Sequence, residues 1–144
     1  MARDPLSTLH AVRQRTVEQA RQALGACLTA EAEVMDRIRM LDDAGRRDRE
    51  AVGTVNDDHQ FMDMFAVRRE TIRTDRRTAV ADLVAMEGRS TEARATVAAA
   101  RTAAEAVEQL IGERAAAERF EAARREQHEL DDIVRRRQAA RPGA

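Results

Sequence analysis

The side chains of this sequence that could bind a metal ion are three histidines and a group of carboxylates near the carboxyl end. The histidines lie far apart in the chain, at His10, His59 and His128. Only the last is followed by carboxylates, at Glu129, Asp131 and Asp132. On one helix, a single histidine with carboxylates one and three positions away forms a poor metal cage. We interpret this group as surface charge and predict no metal site.

Residues suited to nucleophilic or phosphate chemistry are also isolated. Cys27 is the only cysteine, and its place on an apolar helix face predicts a small buried side chain rather than a reactive thiol. No histidine lies near Ser7 or Ser90 in the sequence to activate either hydroxyl. The six glycines are scattered singly, so there is no glycine-rich phosphate loop. We therefore predict a chain that is not an enzyme and has no cofactor or small-molecule substrate.

Composition and charge favour long helices and argue against nucleic acid as a partner. The 144 residues suffice for one domain, of which 35% are charged and only 2% aromatic, and alanine is the commonest residue. This composition is typical of a long helix or coiled coil and excludes a β-sandwich or a Rossmann domain. The 25 basic residues, all arginine, balance 26 acidic ones. A nucleic-acid-binding protein normally has a basic excess.

A first helix is predicted over about residues 5–52. Asp4 is suited to capping the first turn, and Pro5 is suited to the first helical position. Apolar residues then recur every three or four positions, which is the spacing of a coiled-coil seam. The seam runs through Val17, Ala20, Leu24, Cys27, Glu31, Val34, Ile38, Leu41, Gly45, Asp48, Val52 and Val55.

A turn over about residues 53–60 separates this helix from a second one over about residues 58–139. Gly53 is able to end the first helix in a left-handed conformation, and Asn56, Asp57 or Asp58 is able to cap the next. The second seam runs through Phe61, Phe65, Ile72, Ala79, Leu83, Met86, Ala93, Val97, Ala100, Ala104, Val107 and Ile111.

The predicted fold is all-α: two long helices form an antiparallel coiled-coil hairpin, and the C-terminal helix overhangs it. Counting back from the turn places Leu6 opposite about residue 105. About 30 residues at the carboxyl end then lack a partner helix, and an unpaired helix of that length is marginal in water. The stretch from Arg124 to Arg137 is therefore either a solvated face or an amphipathic helix that docks into a partner.

The hairpin end carries a second candidate interaction surface, the tip segment Phe61–Phe65. It holds two of the three phenylalanines and two of the six methionines of the chain. Either the aromatic rings close the end of the hairpin, or part of this apolar surface faces a partner. The residues alone leave both interpretations open.

Three stretches of the chain follow the sequence pattern of a known family. They are the N-terminal stretch Leu9–Ala20, then Glu108-Gln109-Leu110 with Glu113-Arg114, and then Arg125–Ile133, in which Asp132 replaces the usual Glu of the closing pattern. In these stretches the chain resembles the FliJ family, the small coiled-coil proteins of the bacterial flagellar type III export apparatus. Length, the helix–turn–long-helix layout and the missing membrane span agree with that family over nearly the whole chain.

The resemblance implies an adaptor that works like the central stalk of a rotary ATPase. The end bearing both termini would dock into the hexameric export ATPase FliI. The protein would also contact the export gate protein FlhA, and some members of the family escort export chaperones. The gate contact would involve Phe61, Phe65, Arg69 and Ile72. The overhanging helix would meet the ATPase through Phe120, Arg124, Arg125, Leu130, Ile133, Arg135 and Arg136. Some relatives carry aromatic residues where this chain has Ala44 and Asp48, which leaves the first-helix half of the gate contact open.

The sequence also predicts where the protein is located, and it leaves two alternative functions open. No stretch approaches the ~20 apolar residues of a membrane span, and the start lacks an apolar signal segment, so we expect a cytoplasmic protein that associates peripherally with the inner membrane through the export apparatus. The nearest alternative is the equivalent stalk of a virulence type III secretion system. A generic coiled-coil scaffold or dimerisation protein is the second alternative.

Overall fold

The structure is a computed structural model that describes residues 4–54, 59–141 and 143, and these residues form two helices. Helix α1 spans Pro5–Thr54 and helix α2 spans His59–Ala139. No strand occurs among the described residues. The chain is therefore all-helical, and its two helices pack against each other.

The start of α1 follows the predicted capping chemistry. The Leu6 amide lies 3.4 Å from Asp4 Oδ1, and the Ser7 hydroxyl donates a hydrogen bond to the Asp4 carbonyl at 2.8 Å. The first of these contacts gives a partner to one of the amide groups that the first turn of a helix leaves without an intrahelical acceptor. Pro5 is the first residue of α1, where its missing amide proton costs nothing.

The end of α1 differs from the prediction at Gly53. This glycine lies inside α1 and has no left-handed backbone angle, so it does not end the helix. The helix continues to Thr54, whose hydroxyl donates a hydrogen bond to the carbonyl of Ala51 at 2.8 Å. The predicted capping residues Asn56, Asp57 and Asp58 lie outside the described residues.

The chain divides into two compact parts, each built from both helices. Residues Thr16–Ala100 form the tip part, and residues Met1–Arg15 with Arg101–Ala144 form the terminal part.

In the tip part, the helices run antiparallel and bury the predicted seams. The polar contacts between the two helices join residues that become closer in sequence toward the C-terminal end of α1 and the N-terminal end of α2. These contacts are Glu31 with Ser90, Arg37 with Asp82, Arg76 with Asp42, and Arg68 with Asp48. Every predicted seam residue of α1 from Val17 to Val52 is buried or half-buried. On α2, the same holds from Phe65 to Ala100, and the fully buried residue Ala79 belongs to this set.

A polar pair lies inside this apolar seam. The Ser90 side chain is fully buried, and its hydroxyl donates a hydrogen bond to Glu31 Oε2 at 2.7 Å. Glu31 is a predicted seam residue, whereas Ser90 is not. The spacing of α2 explains its position, because alternating steps of three and four residues from Met86 to Ala93 pass through Ser90. The hydrogen bond satisfies a hydroxyl that burial would otherwise penalise.

In the terminal part, two contacts show which residues near the two ends of the chain lie opposite each other. His10 Nε2 lies 3.0 Å from Glu108 Oε1, and Arg114 Nη1 donates to Asp4 Oδ1 at 2.9 Å. Leu6 is thus level with Gly112, seven residues or about two helical turns beyond the predicted partner. Helix α1 ends at Thr54, two residues beyond its predicted end, which accounts for only part of this difference. Ala104 and Val107 are the buried α2 residues of this part.

Among the described residues, Arg114 is the most C-terminal residue of α2 that contacts the start of the chain, through Asp4 immediately before α1. It also donates to Glu118 at 3.1 Å, and hydrogen bonds to Glu118 and Asp4 raise the pKa of its guanidinium. Beyond this level the helix continues to Ala139, and every residue from 112 to 139 is exposed. We call residues 112–139 the C-terminal segment.

Candidate partner-binding surfaces

A cavity of about 630 Å³ lies between the helices of the tip part. The packing pattern of α2 explains why it forms. From Ala79 to Ile111, each seam position holds a buried or half-buried residue. Toward the tip, the same spacing passes through Arg76 and Arg69, which are exposed. Two seam positions therefore lack a side chain that fills the space between the helices.

The α1 side of the cavity is also underfilled. Gly45 has no side chain, and a Cβ atom there would lie 3.8 Å from Ile72 Cγ2, an ordinary contact distance. Asp48 occupies the next seam position with a polar group instead of an apolar one. Around them, apolar residues form the lining: Leu41, Val52, Met62, Phe65, Ala66 and Ile72.

Charged residues surround the cavity, and some of them are already paired. Arg76 Nε donates to Asp42 Oδ1 at 2.6 Å, and this hydrogen bond raises the pKa of the guanidinium. Arg68 Nε lies 2.8 Å from Asp48 Oδ2, an ion pair without the alignment of a hydrogen bond. The Asp48 side chain is 14% exposed, so its charge is largely withdrawn from water.

Two arginines lining the cavity differ from these pairs. Within the described residues, Arg49 and Arg69 have no carboxylate close enough for a salt bridge. The cavity thus combines an apolar lining with two cations that have no carboxylate partner among the described residues. This arrangement suits a partner segment that carries an apolar side chain and a carboxylate.

Three of the four predicted gate-contact residues line this cavity: Phe65, Arg69 and Ile72. The fourth, Phe61, does not line it and is 47% exposed, so its predicted place in the seam was wrong. The reason is the spacing, since the seam continues from Phe65 to Met62, three positions earlier, rather than four. Met62, which is not in the predicted seam, lines the cavity.

The predicted ATPase-contact residues all lie in the C-terminal segment. Its large apolar side chains are well exposed: Phe120 69%, Leu130 62%, Val134 51% and Ile133 45%. The predicted arginines are exposed as well: Arg124, Arg125, Arg135 and Arg136. Arg125 forms an ion pair with Glu121 one turn earlier, at 3.3 Å. The segment therefore presents both apolar and cationic groups to solvent.

Three further sequence-based predictions concern Cys27, metal binding and membrane-spanning segments. Cys27 lies on the α1 seam, as its spacing indicated, but its side chain is half-buried and not buried as predicted. The described residues contain no group of three or more side chains placed to hold a metal ion. Among them, neither helix has a segment apolar enough over a sufficient length to cross a membrane.

Comparison with known proteins gives no relative for this chain. No family model, curated protein or solved structure matches it.

Proposed function

We propose that this protein is a non-enzymatic coiled-coil adaptor of the bacterial flagellar type III export apparatus. In this proposal the two helices form an antiparallel coiled-coil hairpin whose C-terminal helix overhangs. The adaptor acts like a central stalk between the hexameric export ATPase FliI and the export gate protein FlhA, and escorts export chaperones. It works in the cytoplasm, at the inner face of the inner membrane.

The regularity of the α2 packing supports a coiled coil. Ten positions from Ala79 to Ile111 alternate in steps of four and three residues, and all ten are buried or half-buried. Two inward positions in every seven residues is the heptad pattern of supercoiled helices. The α1 positions from Val17 to Val52 follow the same alternation.

The exposed C-terminal segment is the observation that carries the proposal. A helix of 28 residues without a partner gains little stability from its own hydrogen bonds, and here it exposes four large apolar side chains. Such a segment is suited to entering a complementary surface as an amphipathic helix. The axial opening of a hexameric ring is a surface of this kind, with room for a rod about two helices wide, each ~10 Å across.

The test of the ATPase contact is a binding measurement with purified export ATPase. The variant Phe120→Ala/Leu130→Ala/Ile133→Ala is expected to lose most of its affinity, because buried apolar anchors dominate such interfaces. The matched control is Val67→Ala/Val84→Ala, which removes exposed apolar side chains elsewhere on α2. Equal affinities for both variants would refute the ATPase contact.

Charge reversal provides a separate prediction for the same contact. Arg135→Glu/Arg136→Glu is expected to slow association with the ATPase and to weaken its dependence on salt, because exposed charges act mainly by steering the encounter. The thermal midpoint should change little, since both side chains are exposed and exposed ion pairs contribute little stability. Stopped-flow association rates between 50 and 500 mM salt, as a rough range around physiological ionic strength, provide the measurement. A salt dependence identical to that of the unmodified chain would contradict the steering role.

The gate contact is expected to involve the cavity of the tip part. Phe61→Ala/Phe65→Ala should keep most of the helical signal in circular dichroism, because Phe61 is exposed and the seam beyond Phe65 is long. Its affinity for the gate protein should fall, whereas Val67→Ala should leave that affinity unchanged. Unfolding of the double variant would mean that the two rings are core residues.

A further inference from the structure

We infer that the C-terminal segment binds the same segment of a second copy of this chain, in antiparallel orientation. This self-association goes beyond the proposed function and does not depend on it. The inference combines the exposure of the segment with the positions of its apolar and charged residues around the helix.

The apolar residues of the C-terminal segment form their own stripe. Its positions recur in steps of four and three residues, as in a two-stranded coiled coil. They are Ala116, Phe120, Ala123, Gln127, Leu130 and Val134. Nine residues separate Val107, which is buried, from Ala116. Nine residues are two and a half helical turns, so the stripe lies on the side of α2 opposite to the α1-facing seam. A longer α1 would therefore not cover it.

The charges beside the stripe disfavour a parallel pair of copies. In a parallel coiled coil, the residue immediately before every second stripe position faces the residue five positions later on the partner helix. Here these residues are Arg119, before Phe120, and Glu126, before Gln127. This rule places Arg119 against the second copy's Arg124, and Glu126 against its Asp131. Both contacts join like charges, and symmetry repeats each of them.

An antiparallel pair of copies avoids these contacts between like charges in one alignment of the two helices. In this alignment, Arg124 faces the second copy's Asp131 and Asp131 faces its Arg124, which gives two ion pairs. In this alignment Val134 lies opposite Ala123, and Phe120 lies opposite Arg137, whose guanidinium can stack on the aromatic ring. The alignment shifted by one heptad instead places Arg124 against Arg124 and Glu126 against Glu126. Charge complementarity thus selects both an orientation and a register.

The interface is short and includes a polar position. It spans about three heptads, and Gln127 lies opposite Leu130 in two of its layers. Such a pair dissociates readily, so a partner with a better apolar surface displaces it. Phe120 and Leu130 belong to both the self-association and the proposed ATPase contact, which makes the two mutually exclusive.

The test is sedimentation velocity of the full chain over a range of concentrations, with charge variants of the proposed pair. Arg124→Asp and Asp131→Arg are each expected to weaken dimerisation about tenfold, because each converts two attractions into two repulsions. The combined variant Arg124→Asp/Asp131→Arg restores complementarity and should dimerise like the unmodified chain. Asp132→Arg is the matched control, since this position lies on the outer face, and should have no effect.

Three outcomes would overturn the inference. The first is a chain that stays monomeric up to the highest soluble concentration. The second is a combined variant that dimerises no better than either single one, with helical content equal in all variants by circular dichroism. The third is a control variant that weakens dimerisation as much as Asp131→Arg does, because this would mean that overall charge matters and not the proposed pairing.

Discussion

A chain that ends at Arg114 is expected to melt within a few degrees of the full chain and to lose most of its affinity for the export ATPase. All described residues removed by this truncation are exposed, so they contribute little buried apolar area to folding. The contact of Arg114 with Asp4 is retained. Stability and proposed binding should therefore separate, since they depend on different parts of α2.

Thermal melting by circular dichroism and ATPase affinity, measured on the same preparations, test this prediction. Unchanged ATPase affinity would refute the proposed docking role. A fall of the melting midpoint by ten degrees or more would correspond to more than about 1 kcal/mol for a chain of this size. It would mean that the C-terminal segment folds back onto the helices and buries its apolar residues there.

Replacing Glu31 alone is expected to destabilise the protein, whereas replacing both members of the buried polar pair is not. Glu31→Ala leaves the fully buried Ser90 hydroxyl without its partner, at a cost of about 1–3 kcal/mol. In Glu31→Leu/Ser90→Ala, both polar groups are absent and the seam is apolar throughout. The double variant should be at least as stable as the unmodified chain. Urea denaturation of the three proteins provides the comparison.

The double variant is also expected to lose specificity of pairing. A single polar layer in an apolar seam penalises every alignment in which its members do not meet. Without the layer, helices displaced by one heptad bury similar apolar residues. Amide hydrogen exchange should therefore be faster or more heterogeneous around residue 90 in the double variant, despite its stability. A double variant that loses as much stability as Glu31→Ala would show that the layer contributes net stability.

The seams were predictable because they depend only on local spacing. A residue on a helix faces inward or outward according to its position modulo the helical repeat, and the positions from Val17 to Val52 followed that rule. The start of α1 was predictable for a similar reason, since Asp4 and Pro5 act on their own first turn. These features need no knowledge of the other helix.

The pairing level and the cavity depend on both helices at once, and for this reason the sequence did not predict them. The level was misplaced by about two helical turns, because counting back from a predicted turn does not fix which residues of two long helices lie opposite each other. Phe61 was placed in the seam on hydrophobicity, although strict spacing favours Met62. The cavity needs Gly45 on one helix to coincide with Arg69 and Arg76 on the other. The sequence could have predicted that Ser90 lies in the seam, because the alternating three- and four-residue spacing of α2 passes through it.

The apolar lining of the tip-part cavity has a thermodynamic consequence for any partner that fills it. Apolar surface removed from water on binding gives a negative change in heat capacity, and the resulting attraction weakens on cooling. The contact proposed for the C-terminal segment combines exposed apolar side chains with exposed arginines, so it should weaken both on cooling and with added salt. Calorimetry across temperature and ionic strength would therefore measure how much each contact depends on apolar burial and how much on charge.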